Sequence, residues 1–142
     1  MLNKISLLVV GALLFSASNI YAMPRENEHA ECLKKATTDA EVTKCRETQI
    51  DAVKAELGQD EKNIRKTDIL RGLVSSKEDN LETMRSNFEQ YSKSYCLHYV
   101  IANSGNGYSD EFNKAKCELA NILQYERDLI SIYQMALSDI KI

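Results

Sequence analysis

Hydrophobic residues recur at steps of three and four on both sides of a polar turn in the C-terminal half of the chain. Before the turn they are Leu81, Met84, Phe88, Tyr91, Tyr95 and Tyr99; after it they are Phe112, Ala115, Leu119, Ile122, Leu129, Tyr133, Ala136 and Ile140, with Glu126 as one interruption. Such steps place side chains on one face of an α-helix. Because only the short turn 103–108 separates the two series, the pattern predicts an antiparallel helical hairpin.

The spacing of the four cysteines predicts two disulfides. Cys96 and Cys117 are equidistant from the centre of the turn, and such residues lie at the same height in an antiparallel hairpin. Cys32 and Cys45 flank a second predicted turn at 37–39 in the same way. Four cysteines allow three pairings, and hairpin symmetry selects Cys32–Cys45 and Cys96–Cys117. In the loop-entropy model each bridge contributes about 3 kcal/mol.

Capping signals mark where the predicted helices begin and end. Thr38 and Glu41 have the spacing of a capping box, which predicts a helix that starts near residue 39. The other signals are a glycine C-cap at Gly72, a second capping box at Ser75 and Glu78, and an N-cap at Ser109.

Gly58 and the polar run 59–63 leave two alternatives for the helix that starts near residue 39. Either it ends at Gly58, or it continues through a solvated stretch until the hydrophobic pattern resumes at Ile64. One long helix with a weak point at Gly58 is favoured. The sequence has no alternating run of β-branched residues that would predict a β-strand. The predicted fold is all-α: a small antiparallel helical bundle on the long hairpin, with a short N-terminal helix and two disulfides.

The first 22 residues have the pattern of a cleaved signal peptide. Lys4 precedes a charge-free apolar run, and a small-residue cleavage site ends at Ala22. The run is shorter than the ~20 residues that a membrane span needs, and no cysteine follows it to carry a lipid anchor. We therefore expect a periplasmic or secreted protein, with a flexible tail at 23–28 and a single helical domain at 29–142.

The net charge and the absence of known motifs exclude several classes of function. The formal net charge is −3, and loss of Lys4 with the leader makes the chain more acidic, which disfavours nucleic acid and anionic membranes as partners. The run that begins at His29 lacks the P-C-x-x-C half of a zinc deaminase motif. His98 and nearby Cys96 could be imagined as metal ligands, but no second histidine lies at helical spacing from His98 to complete a metal site. A cysteine in a disulfide cannot act as a nucleophile. The sequence predicts no metal site, no cofactor and no enzymatic activity.

Tyrosines are well suited to contact a partner, because aromatic side chains with a polar tip are enriched at interfaces. The spacing of Tyr91, Tyr95 and Tyr99 favours burial in the seam between the two arms of the hairpin. Tyr108 lies in the turn, where burial is not required. The predicted contact set in the turn consists of Asn103, Asn106 and Tyr108.

The stretch 81–96, LETMRSNFEQYSKSYC, resembles a family signature of the form L-x-x-A-Q-x-x-W-x-x-[YF]-R-D-x-x-C. Glycines in the turn, then Cys117, then the run LQYER at 123–127, similar to L-T-x-x-R, follow in the family's order. The family is the small exported helical domain named for the N-terminal part of LprI, a lysozyme-inhibitor lipoprotein. The likeness spans residues 30–130 and includes the N-terminal cysteine pair.

The chain departs from the family pattern at several polar or aromatic positions. Phe88 stands where the family has tryptophan, Arg85 where it has glutamine, Ser92-Lys93 where it has Arg-Asp, and Gln124 where it has threonine. The cysteine framework and the hydrophobic register match. Arg127 keeps the family's arginine and joins the candidate partner contacts.

Two function hypotheses follow. The resemblance implies an inhibitor of a lysozyme-type muramidase, or a binder of another cell-wall-associated protein, and the turn 103–109 is the predicted inserting element. The alternative is a structural or interaction protein of the cell envelope that binds its partner through a helix face. Apolar positions near the C-terminus, Ile130, Ile132 and Leu137, leave self-association open.

Overall fold

In the computed structural model, residues 23–70 and 80–138 are described, and they form four α-helices. Their bounds are Met23–Lys35 (α1), Asp39–Leu70 (α2), Asn80–Ala102 (α3) and Asp110–Ser138 (α4). The described residues contain no strand. The predicted all-α class is confirmed. The predicted cap at Gly72, the capping box at Ser75 and Glu78, and the leader at 1–22 lie outside the described residues.

Helix α4 is the centre of the bundle, because both α2 and α3 pack mainly against it, while α1 packs on α2. One hydrophobic cluster joins the three long helices, and Val53 and Leu129 are its most completely buried members. Burial of a side chain of this size stabilises the fold by about 1.5–3 kcal/mol. The cluster consists of Ile50, Val53, Leu57, Leu81, Leu119, Ile122, Tyr125 and Leu129.

Both predicted disulfides are confirmed. Cys32–Cys45 links α1 to α2, and Cys96–Cys117 links the two arms of the hairpin. The Cα–Cα distances are 5.8 Å and 5.6 Å, within the range that a disulfide spans. The symmetry of cysteines about a turn was therefore sufficient to assign the pairing.

Two predicted helix starts are confirmed by their caps. Thr38 Oγ1 accepts a hydrogen bond from the Glu41 backbone N–H at 3.2 Å, and Glu41 Oε2 accepts from the backbone N–H of Thr37 at 2.6 Å and of Thr38 at 3.3 Å. These bonds, led by that from Thr37, lower the pKa of Glu41. At the start of α4, Ser109 Oγ accepts from the Phe112 N–H at 3.1 Å.

Helix α2 continues through Gly58, as favoured from the sequence. The polar run 59–63 is not uniformly solvated, however, because Glu61 within it is buried. Apart from the adjacent residues and backbone of α2 itself, nothing lies within 4 Å of the place where a Cβ would stand on Gly58, so this side of α2 is open.

Residues 23–28, predicted as a flexible tail, form the first turns of α1 instead. The reason is a tertiary contact. Arg25 donates two hydrogen bonds to the Glu126 carboxylate, at 2.8 and 2.9 Å, and a third to Glu56 at 2.6 Å. A polar N-terminal segment resembles a disordered tail, but here its arginine is bound to a carboxylate of α4.

Among the described helices, none combines the length and hydropathy needed to cross a membrane.

Candidate functional site

The turn between α3 and α4 has a fixed backbone. Gly105 and Gly107 have φ angles of 86° and 90°, a left-handed conformation that side chains with a Cβ rarely adopt. The backbone N–H of Asn106 donates to the Asn103 carbonyl at 3.2 Å, and the N–H of Ser104 donates to the Ile101 carbonyl at 3.3 Å. These bonds continue the end of α3 into the turn.

Asn106 holds the turn onto α4. Its Nδ2 donates to Asn113 Oδ1 at 3.2 Å, and Asn113 Nδ2 donates back to Asn106 Oδ1 at 3.3 Å. The same Oδ1 accepts from the Tyr108 backbone N–H at 3.0 Å. Asn113 is only 1% exposed. The Asn106 amide is therefore engaged inside the protein. Sequence reasoning missed Asn113, although an asparagine directly beside the apolar face of α4 was a usable signal.

Asn103 also has an internal role. Its Nδ2 donates to the Tyr99 carbonyl at 2.8 Å, and the side chain is half-buried. The same carbonyl also accepts from the Asn103 backbone N–H at 3.1 Å, so both the backbone and the side chain of Asn103 cap the end of α3. Of the three predicted contacts in the turn, Tyr108 alone presents a side chain without such an internal hydrogen bond.

Tyr108 stands on a stack of side chains. Its ring lies 4.4 Å from the ring of buried Phe112 at an interplanar angle of 9°. The Arg46 guanidinium of α2 lies 4.2 Å from the centre of the Phe112 ring, and its NH1 donates to the Phe112 carbonyl at 3.4 Å. Tyr108 is 50% exposed. One face of a tyrosine is thus packed while its edge reaches solvent, at the end of the bundle.

The disulfide Cys96–Cys117 links the two helices that flank the turn, and a polar side chain lies beside it. Asn121 of α4 donates through Nδ2 to Ser92 Oγ at 3.2 Å and lies 3.3 Å from Cys96 Sγ. Both Ser92 and Cys96 are buried. The two arms are therefore joined covalently and by a hydrogen bond on the same face of α3.

The prediction that Tyr91, Tyr95 and Tyr99 line the seam is wrong for the first two. Tyr91 and Tyr95 are exposed and stack on each other with ring centres 5.6 Å apart, and Tyr99 is half-buried. The seam is occupied by Ser92 and Cys96, one position further along the helix. The small side chains at these positions let the two arms approach closely enough for the disulfide.

Arg127 is not part of the turn site. It lies on α4, eighteen residues beyond Ser109 in sequence, which corresponds to about 27 Å along a helix. The side chain is exposed and donates to Gln124 Oε1 at 2.7 Å. In residues 23–70 and 80–138, no group of three or more histidine, cysteine, aspartate or glutamate side chains is arranged to hold a metal ion.

A histidine in α1 gives folding a predicted pH dependence. Burial lowers the pKa of His29 below 6.5, and Arg46 lowers it further. As the pH falls, the histidine of the unfolded chain therefore takes up a proton before that of the folded chain. The free energy of unfolding should decrease between pH 6.5 and the lowered pKa of the folded state, and should not decrease further at pH values below that pKa. His29→Gln should flatten the dependence in urea unfolding between about pH 7.5 and 5. The exposed His98→Gln is the control, and an unchanged slope in His29→Gln would contradict this assignment.

Comparison with protein-family models, with curated proteins and with solved structures gives no match. The turn presents a half-exposed aromatic ring that is packed on one face, and backbone groups that are held in one conformation.

Proposed function

We propose that this protein is an exported binding module that inhibits a lysozyme-type muramidase by inserting the turn 103–109 into the enzyme's cleft. The single observation that carries the proposal is the construction of the turn around half-exposed Tyr108. Internal hydrogen bonds from the Asn106 amide and the stack on Phe112 fix it before any partner arrives. A preorganised element loses little conformational entropy on binding. Tyrosine is among the residues that most often dominate binding energy.

Four further features support the compartment and the partner class. Two disulfides are typical of proteins that fold in an oxidising compartment. The pattern of residues 1–22 supports a signal peptide cleaved near Ala22. The resemblance of residues 81–96 to the LprI-type domain supports a lysozyme as the target. An acidic net charge of −3 favours encounter with a basic enzyme.

The test is a titration of the oxidised, exported protein against a c-type lysozyme, followed by clearance of bacterial cell walls at low and at physiological salt. Inhibition at about micromolar concentration that persists at physiological salt is the expected result. Inhibition at low salt only would indicate non-specific charge attraction, and no inhibition at either salt would reject a lysozyme target.

The turn is tested by Tyr108→Ala, which should weaken inhibition about tenfold or more, as expected for a central aromatic contact. Loss of the stack on Phe112 should lower stability by only about 1 kcal/mol. Tyr95→Ala is the matched control, because Tyr95 is 47% exposed and Tyr108 50%. We choose Tyr108 rather than Asn106 because a change at Asn106 would unpair buried Asn113. Equal inhibition by wild type and Tyr108→Ala would exclude the turn as the inhibitory element.

A second function is favoured by a specific surface on α3. Four large hydrophobic or aromatic side chains of this helix are exposed, namely Tyr91, Tyr95, Leu97 and Ile101. Under this alternative the protein is an envelope interaction protein that binds through α3. The same pair of variants separates the two functions, since Tyr95→Ala should then reduce capture of envelope proteins while Tyr108→Ala leaves it unchanged.

A further inference from the structure

A groove of roughly 470 Å³ lies between α2 and α3, because both helices pack on α4 more than on each other. Gly58 widens it on the α2 side, where no side chain projects. Among the residues that line it are Glu61 and Lys62 of α2, and Arg85, Ser86 and Glu89 of α3. The turn site is at the other end of the bundle. Along α2, Glu61 is about 22 Å from Arg46, the residue that contacts Phe112 beneath the turn.

One arginine in the groove forms ion pairs with two carboxylates. Arg85 donates through NH1 to Glu61 Oε2 at 3.2 Å and through Nε to Glu89 Oε1 at 3.3 Å. Glu89 is exposed, so water screens its charge, whereas Glu61 is only 6% exposed. Lys62 and Arg65 of α2 line the groove too, but both are exposed and their charges are screened in the same way. The buried charge on the α2 side is therefore negative, and Arg85 satisfies only one of its two oxygens.

Two buried polar atoms, one on the groove residue Glu61 and one on Tyr125 of α4, have no hydrogen-bond partner among the described residues. They are Glu61 Oε1 and Tyr125 Oη. Tyr125 is 8% exposed and stacks on Phe88 of α3 with ring centres 4.3 Å apart. Burial raises the pKa of Tyr125, and the charge of Glu61 raises it further. Phe88, on which Tyr125 stacks, directly precedes the groove residue Glu89 in the sequence. A buried polar atom without a partner costs about 1–3 kcal/mol.

We propose that this groove binds a cationic N–H donor, an ammonium or guanidinium group, which donates to Glu61 Oε1 and Tyr125 Oη. A donor with several N–H bonds and a positive charge satisfies both orphaned oxygens and compensates the buried carboxylate. A neutral donor satisfies the oxygens without the charge, and an anion is repelled by Glu61. The group comes either from a free organic amine or from a lysine or arginine side chain of a protein. The site is distinct from the turn and does not depend on lysozyme inhibition.

The experiment is an NMR titration of the isotope-labelled, oxidised, exported protein with n-butylammonium and n-butylguanidinium chloride, with n-butanol and sodium chloride as controls. The expected result is a millimolar dissociation constant, about what one small charged group supplies, with amide shifts centred on Gly58 and Ser86. Butanol and salt should not produce these shifts. Absence of groove-specific shifts with either cation overturns the proposal.

Variants distinguish a built site from general charge attraction. Glu61→Gln should weaken butylammonium binding about tenfold, and Tyr125→Phe, which keeps the stack on Phe88, should weaken it about threefold or more. Glu89→Gln removes the same charge at the exposed side of the groove and should change binding less than about twofold. Equal weakening by Glu61→Gln and Glu89→Gln would overturn the site.

The source of the cation is resolved by a blocked peptide with one central lysine. Tighter binding of the peptide than of butylammonium assigns the groove to a protein partner, and equal binding assigns it to a free amine. A crystal soaked in butylammonium provides an independent check. An ordered water that joins Glu61 Oε1 to Tyr125 Oη in that crystal, in place of the cation, would overturn the proposal.

Discussion

Replacing Arg25 with methionine is expected to lower the free energy of unfolding by about 3–5 kcal/mol, the usual effect of removing one partner from a buried ion pair. The side chains of Arg25 and Glu126 are 12% and 10% exposed. Without Arg25, the Glu126 carboxylate would remain buried with no counter-charge. It would also lie near Asp60, whose pKa is already raised by burial and by Glu126. Urea unfolding at pH 7 measures the loss.

The double variant Arg25→Met with Glu126→Leu should recover most of that loss. Two apolar side chains of similar size can replace a buried ion pair at little cost, because neither charge then has to be desolvated. Lys34→Met is the control, since it removes the exposed Lys34–Glu31 pair from the same helix and should change stability by less than about 1 kcal/mol. If Arg25→Met costs no more than Lys34→Met, Arg25 does not hold α1 on the bundle.

Features of the fold that depend on local spacing could be predicted from the sequence. The hairpin follows from apolar steps of three and four, and the two disulfides follow from the symmetry of the cysteines about their turns. The capping box at Thr38 and the N-cap at Ser109 involve residues three apart. Each of these signals lies within a short window, so no knowledge of the tertiary arrangement was needed.

Features that depend on distant partners could not be predicted. The helical start of α1 requires Arg25 to meet Glu126, 101 residues away in sequence. In the sequence, Glu126 is visible only as an interruption of an apolar stripe. The position of Tyr91 and Tyr95 depends on a rotation of α3 by about one residue, or 100°, and the hydrophobic pattern alone is compatible with either rotation.

The candidate site was predicted in outline only. The sequence placed Tyr108 in the turn, and the structure leaves it half-exposed. It also proposed Asn103 and Asn106 as contacts, but their amides bond to the Tyr99 carbonyl and to Asn113. Asparagine in a turn serves equally well as a partner contact or as an internal bridge. Only the position of the neighbouring side chains distinguishes the two roles.

Removing the disulfide of the hairpin, by Cys96→Ala with Cys117→Ala, is expected to lower stability by about 3 kcal/mol or more. The bridge closes a loop with a sequence separation of 21 residues, and the loop-entropy model assigns about that value to such a loop. Both cysteines are buried, so the alanines also leave a small cavity. Chemical denaturation of the oxidised wild type and the double variant measures the difference.

The pair Cys32→Ala with Cys45→Ala is the matched control for function. Its bridge has a sequence separation of 13 residues, and because the entropy varies only with the logarithm of loop length, the expected loss is again about 3 kcal/mol. That bridge joins α1 to α2, whereas Cys96–Cys117 fixes the two helices that hold the turn. At a temperature where both variants are folded, the proposed function predicts that the hairpin variant alone loses inhibition, because its turn must be ordered on binding. Equal loss in both variants would instead mean that global stability, and not the preorganised turn, governs inhibition.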